Sequence, residues 1–199
     1  MTDAATTQPP ERGPGSNPWR ALLPLGLFIA LAGFLAFGLT RDPSALPTQL
    51  LDQPLPEFSA QTLDGETVTR AALVGEPALV NVFGSWCTAC LVEHPLLMQL
   101  PSGTRLIGLN WRDQNDKARA WLARHGDPYD LIVTDPRSDL AVRLGVTGAP
   151  ETFVIDAQGR IRYKHTGPIL PTDWSDTVKP LLQALRDPPS STGEGREKG

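Results

Sequence analysis

The sequence predicts an α/β fold: a central mixed β-sheet flanked by helices, preceded by a single N-terminal transmembrane helix. Three observations carry this. Short apolar runs at residues 78–83, 106–109 and 131–133 alternate with stretches of helical pattern. Two more runs, at 152–155 and 161–164, are joined by the hairpin turn Asp156-Ala157-Gln158-Gly159. One uninterrupted apolar stretch, at 21–39, stands apart from all of these. Alternating strands and helices build a parallel sheet, and hairpins at its two ends make it mixed.

The elements follow in chain order. Residues 1–20 are polar and rich in proline and glycine, a disordered lead. Residues 21–39, ALLPLGLFIALAGFLAFGL, carry no charged or hydrogen-bonding side chain. At about 1.5 Å per residue they reach roughly 28 Å, close to the apolar thickness of a bilayer. Pro24 is placed in the first turn, where its missing amide hydrogen costs little. A cleaved signal peptide is the alternative, since Ala30-Leu31-Ala32 is a small-x-small site, but more apolar residues follow it. A buried soluble helix is another alternative, though it would normally show a polar face. Arg12 and Arg20 precede the stretch and Arg41 follows it, which points to a cytoplasmic N-terminus. Residues 40–55 contain three prolines and read as a linker. Residues 56–186 form one domain-sized block, and 187–199 read as a disordered tail.

Within the block, residues 58–60 and 67–69 flank the turn Asp64-Gly65 and pair as a hairpin. Residues 78–83 (ALVNVF) are a buried strand, followed by a helix over 87–100 bent at Pro95. After the strand at 106–109 comes a helix over 113–125, stopped by Gly126. After the strand at 131–133 comes a short helix over 138–144, ending at Gly145. The hairpin at 152–164 precedes a last helix over 172–185, with Thr172 or Asp173 as its N-cap.

Composition limits the chemistry. Forty per cent hydrophobic residues in 199 supply a core and exclude wholesale disorder. Formal charge is 18 − 22 = −4 with no basic block, which argues against a nucleic-acid binder. The chain has two cysteines, both in Trp86-Cys87-Thr88-Ala89-Cys90. They cannot build a disulfide framework or a four-thiolate zinc site. Their place is a strand-to-helix junction, where unpaired amides and the helix dipole favour a thiolate. Cys87 is then the attacking thiol and Cys90 the resolving one, exchanging through a mixed disulfide. Two alternatives remain. His94, four residues after Cys90, would complete a Cys-Cys-His copper site. A purely structural disulfide would close a loop too small to constrain much of the unfolded chain. A second signal is Gly145-Val146-Thr147-Gly148-Ala149-Pro150-Glu151-Thr152-Phe153, where a proline directly before a strand marks a tight constraint or a cis peptide. Taken alone, Pro150 would be an ordinary loop proline.

These residues together resemble a known family. A CxxC after the first buried strand, with Gly-x-Pro before a late hairpin strand, resembles the thioredoxin fold. NVFGSWCTACLVEHP from Asn81, GVTGAPETFVID from Gly145, IRYKHTG from Ile161 and the apolar N-terminal stretch look like the membrane-anchored CcmG/DsbE-type thiol:disulfide interchange proteins of cytochrome c maturation. The resemblance covers roughly residues 50–186. WCxxC marks only the superfamily, and GAPETF is the more specific part.

The resemblance implies a role for each matching residue. Cys87 is the exposed nucleophile, Cys90 the buried resolving cysteine, and Pro150 a cis-proline against the disulfide. Glu93 and Glu151 match acidic residues around the active site, and Trp86 shields the thiol. Thioredoxins carry an aspartate six residues before the first cysteine; here Asn81 stands there. Glu93, one turn after Cys90, then takes over the proton work, whereas without the resemblance it reads as a solvated helix carboxylate. Thr88 stands where the family often has proline, which bears on the redox potential. His125 suits a helix C-terminus, His165 has no assigned role, and Trp111 and Trp121 read as core or helix-face residues.

The expected function is that of a thiol:disulfide oxidoreductase in the bacterial inner membrane, its domain facing the periplasm. It would keep apocytochrome c haem-binding cysteines reduced, fed by a transmembrane dithiol donor, with no cofactor or metal beyond the Cys87–Cys90 pair. The alternatives are a general periplasmic thiol reductase and a Cu(I) chaperone using Cys87, Cys90 and His94.

Overall fold

The structure is a computed structural model that describes residues 18–39 and 50–187, with side chains of the first helix described over 22–36. The lead over 1–17, the linker over 40–49 and the tail over 188–199 lie outside the described residues. The chain divides into two units, Met1–Ala45 and Leu46–Gly199.

The first unit contains α1 (Pro18–Leu39), whose 22 residues exceed the expected stretch by three at its start. Pro24 therefore lies in the second turn and not in the first. The side chains over 22–36 are all exposed, Leu23, Leu27 and Phe34 each above 70 %. Among the described residues, no helix is long and apolar enough to cross a membrane.

In the second unit, β1 (Ser59–Thr62) and β2 (Thr67–Thr69) pair antiparallel. Their turn closes because Thr62 Oγ1 accepts from the amides of Asp64 and Glu66, with Gly65 at φ 85°. A 3₁₀ turn (Arg70–Leu73) leads to β3 (Ala78–Phe83), which is buried at every position. There follow α2 (Cys90–Leu97), β4 (Arg105–Trp111), α3 (Asn115–His125), β5 (Leu131–Asp135) and α4 (Asp139–Arg143). The chain ends in the hairpin β6 (Glu151–Ile155) and β7 (Ile161–Thr166), then α5 (Pro171–Asp173), a π-helical turn (Trp174–Val178) and α6 (Lys179–Arg186).

The seven strands form one sheet in the order β2-β1-β5-β4-β3-β6-β7. β3, β4 and β5 are parallel, and the terminal hairpins join them antiparallel. The mixed sheet is as expected. Helix starts differ. α2 begins at Cys90 and not at residue 87, because the chain turns first over Ser85-Trp86, where Cys87 N–H is tied to the Gly84 carbonyl, and again over Thr88-Ala89. The last helix begins at Pro171, with Asp173 reaching back to the Leu170 amide, so neither Thr172 nor Asp173 is the N-cap. Residues 50–55 are part of the domain and not of the linker. Asp52 and Leu55 amides bond to Ile161 and Gly159 carbonyls, and Leu55 is buried.

Period-two alternation divides the core. Val80, Val82, Ile107, Leu109, Phe153 and Ile155 share one face, packed with Leu140 and Leu144. Leu79, Phe83, Leu106 and Val154 point to the other, under α2, α3 and α6. On this second face one row across the sheet is not aliphatic. Gly108, Asn81, Thr152 and His165 are consecutive partners on β4, β3, β6 and β7.

Candidate active site

The cysteines meet where β3 passes into α2. Their sulfurs are bonded in a disulfide, with Cα atoms 5.4 Å apart. The Cys90 amide donates to Cys87 Sγ at 3.1 Å, so the first helical N–H is aimed at the first sulfur. That contact stabilises negative charge on Cys87 once the bond opens. Cys87 is 4 % exposed and Cys90 2 %. The expected contrast between an exposed and a buried cysteine is therefore absent in the oxidised form. Both belong to the core cluster that includes Phe83 and Trp121, against which Ala149 packs. Thr88 and Ala89 beside them are exposed. The Ala149–Pro150 peptide is cis, as expected, and Pro150 is buried.

Glu93 is not a solvated carboxylate. It is 1 % exposed, one turn into α2 on the helix side facing the sheet. Oε1 accepts from Asn81 Nδ2 at 2.7 Å and Oε2 from the Ile169 amide at 2.9 Å. Asn81 Nδ2 also donates to Thr152 Oγ1 at 2.9 Å, and Asn81 Oδ1 accepts from the Tyr129 hydroxyl at 2.8 Å. Burial pushes the Glu93 carboxyl up to about 7, although the Ile169 and Asn81 donors pull the other way. Its proton equilibrium therefore falls near neutrality, where a group that exchanges a proton with a thiol works best.

Glu151 is also fully buried, but on the other face of the sheet, since 151 has the parity of 153 and 155. Its Oε1 accepts from both the amide and the hydroxyl of Thr147. Lys164 Nζ lies 2.9 Å from Oε2 in a buried ion pair. Oε2 has no aligned donor, so Lys164 holds it by charge. Lys164 also donates to the Gly145 carbonyl at 2.7 Å and sits over the Phe153 ring. The sequence groups Glu93 and Glu151 at one site. The sheet separates them, leaving Glu151 to fasten the loop that carries Pro150.

Trp86 is half exposed, neither core nor a closed lid. Its indole donates to the Trp111 carbonyl at 3.1 Å and stands edge-on to the Trp111 ring. Gly84 makes room for it, because a Cβ there would lie 2.5 Å from the indole nitrogen. Beside it, Asp113 accepts from the Ser85 amide at 2.6 Å, Ser85 Oγ at 2.8 Å, Asn110 Nδ2 at 3.0 Å and the Gln114 amide at 2.8 Å. Burial alone would raise its carboxyl, but these donors outweigh it and hold the group below the ordinary aspartate range. Asp113 thus ties the approach to the cysteines to the start of α3.

His94 turns away from the sulfurs. Its Nε2 contacts the Gly126 carbonyl at 3.1 Å and its ring lies edge-on to Trp121. Among the described residues, no group of three or more His, Cys, Asp or Glu could hold a metal, so the Cys-Cys-His arrangement is not brought together. Trp121 is a core residue, as read. Asp113, Tyr129, Thr147 and Lys164 were not singled out by sequence. Asp113 carries a signal as an acidic residue just before a helix, and Thr147 and Lys164 lie inside the GVTGAPETFVID and IRYKHTG stretches without a role of their own.

A family model described as Redoxin matches residues 50–185. The thiol:disulfide interchange protein DsbE of Allochromatium vinosum is 46 % identical over 167 residues, 82 % of this chain and 92 % of that one. DsbE of Escherichia coli (strain K12) is 41 % identical over 171 residues, 81 % and 92 % of the two chains. Among solved structures, a thioredoxin-family thiol:disulfide interchange protein from Chlorobium tepidum superposes with a TM-score of 0.55 at 28 % identity, covering 69 % of this chain and 99 % of that one. The chain belongs to the redoxin family, and within it to the DsbE-type thiol:disulfide interchange proteins, which makes it a thiol:disulfide oxidoreductase.

Proposed function

We propose that the protein is a reductant in cytochrome c maturation, held at the bacterial inner membrane by α1 with its redox domain in the periplasm. The observation that carries the chemistry is the disulfide at the head of α2 with a buried carboxyl beneath it. In the reduced form Cys87, favoured as thiolate by the Cys90 amide, attacks one sulfur of a substrate disulfide. The new bond is Cys87 Sγ to that sulfur, and the other substrate sulfur leaves as a thiolate. Cys90 then attacks Cys87 Sγ, giving its thiol proton to Glu93, and the second substrate thiol is released. The protein ends oxidised by two electrons and the substrate reduced by two. A membrane dithiol donor restores the Cys87–Cys90 pair, and no cofactor is required.

The favoured substrate is the haem-binding CxxCH segment of apocytochrome c, because haem attachment needs both thiols free in an oxidising compartment. DsbE-named relatives support this reading. The uncharged apolar run over 21–39 in the sequence and the exposed apolar side chains over 22–36 support the anchor. A deletion strain should lose covalent c-type cytochromes and regain them with wild type but not with Cys87→Ser. Normal haem attachment in the deletion overturns the cytochrome reading and leaves a general periplasmic reductase. Cys90→Ser should trap substrate through Cys87; equal trapping by Cys87→Ser overturns the order of attack.

A further inference from the structure

The Asn81 amide has two unlike ends, and which end meets Glu93 decides what the carboxyl can do. An N–H stabilises the carboxylate, whereas a carbonyl oxygen requires the carboxyl to be protonated and donating. Glu93 itself does not fix the choice, since an amide can turn to suit either protonation state. The Thr152 hydroxyl does not fix it either, because a hydroxyl both donates and accepts.

The remaining partner is Tyr129. Its hydroxyl lies 2.8 Å from Asn81 Oδ1. Its ring stacks on Phe83 at 4.7 Å between centroids. It reaches Asn81 across Gly108, the neighbour of Asn81 on β4. A Cβ at Gly108 would lie 2.8 Å from the Phe83 ring and 3.1 Å from the Tyr129 ring, so the approach depends on that glycine. Burial, then the charges of Glu93 and Asp127, raise the phenol well above its ordinary range, and among the described residues Asn81 Oδ1 is the hydroxyl's only acceptor, so the opposite turn of the amide would leave this O–H without one.

We infer that Tyr129 is a positioning residue for the proton step: its hydroxyl occupies Asn81 Oδ1 and thereby commits the amide N–H to Glu93. This rests on Glu93 being the proton partner of Cys90. Phe83 and Gly108 act through Tyr129, as the surfaces that aim it.

Other groups around Glu93 do not replace this contact. From β7, His165 contacts the Pro168 carbonyl and lies 3.8 Å from Asp173. From the loop after β7 comes the Ile169 amide, which takes the other carboxylate oxygen. On α2 itself, His94 is engaged with Gly126, and Cys90 is bonded to Cys87. Asp127 accepts from the Tyr129 amide at 2.9 Å and bears on Tyr129 and His94 as a charge. Lys164 and Glu151 are paired on the opposite face.

The test is Tyr129→Phe in the full-length chain, which keeps the ring and removes only the hydroxyl. The side-chain carboxyl of Glu93 is followed by ¹³C NMR against pH, its signal assigned by its loss in Glu93→Gln. The expected result is an upward move of the midpoint by about one unit, a tenfold tighter hold on the proton. Asn81→Ala should move it in the same direction. The pH profile of mixed-disulfide resolution by Cys90 should shift upward with it, and Tyr129→Phe should shift nothing in a Glu93→Gln background. A midpoint that stays or falls in Tyr129→Phe, while Asn81→Ala raises it, overturns the inference. So does a pH-profile shift that persists without Glu93. If Glu93→Gln leaves the resolution step and its pH profile untouched, the proton role of Glu93 fails instead, and the midpoint still reports separately on Tyr129.

Discussion

Glu93 makes the folded protein less stable as it ionises, and replacing it with glutamine should show this directly. Folding moves the carboxyl from 4.5 to about 7. The folded state thus holds a proton more tightly than the unfolded chain. Stability contributed by the protonated form is complete below about pH 4.5, falls as pH rises, and levels off above about pH 7. A shift of about 2.5 units corresponds to about 3 kcal/mol. The side chain is 1 % exposed, so solvent screening does little to reduce the figure. In Glu93→Gln the side chain would be neutral at every pH and lose this slope. The new amide would set a second donor against the Ile169 N–H, a constant cost of about 1–3 kcal/mol. His94, whose pKa burial lowers, loses stability as pH falls, the opposite sense, but it is present in both proteins and cancels. The assay is urea unfolding of the oxidised protein and Glu93→Gln from about pH 4 to about pH 8. Wild-type stability minus that of the variant should fall by about 3 kcal/mol across the range. Parallel curves within about 1 kcal/mol would refute the reasoning, because no proton would then be held differently on folding.

Other outcomes follow from the contacts. Lys164→Ala strands the buried Glu151 charge and should cost about 3–5 kcal/mol in urea unfolding, with Lys164→Ala/Glu151→Gln recovering part of it. Gly108→Ala should destabilise by about 1–3 kcal/mol, since its Cβ collides with Phe83 and Tyr129; an unchanged melting curve counts against their packing. Asp113→Ala removes four accepted hydrogen bonds and should speed amide exchange at Ser85 and Gln114, measured by NMR, with unchanged protection contradicting the tie.

The sheet was legible because its strands are short apolar runs between turn signals, so 78–83 and both hairpins were placed within a residue or two. Helix starts were not, because they are decided by contacts that sequence spacing does not record. Cys87 is held in a turn by Gly84, and Pro171 starts the last helix where Asp173 caps it from inside. The cysteines and Pro150 stood out as motifs. The burial of Glu93 did not, since a helical glutamate reads as solvated until Asn81 and Ile169 close round it. Glu151 shows the opposite failure. Its closeness in sequence to Pro150 suggested a shared site with Glu93, but strand parity sends the two carboxyls to opposite sides of the sheet.

That separation has a consequence for the rim of the site. The loop from Gly145 to Pro150 is moored through Thr147, Glu151 and Lys164, none of which gains or loses an electron. Its fastenings are therefore separate from the bond that the reaction breaks, although Ala149 itself packs against the cysteine cluster. On the other side, from Trp86 to Ala89, the contacts include Cys87 Sγ, the atom whose bonding the reaction alters.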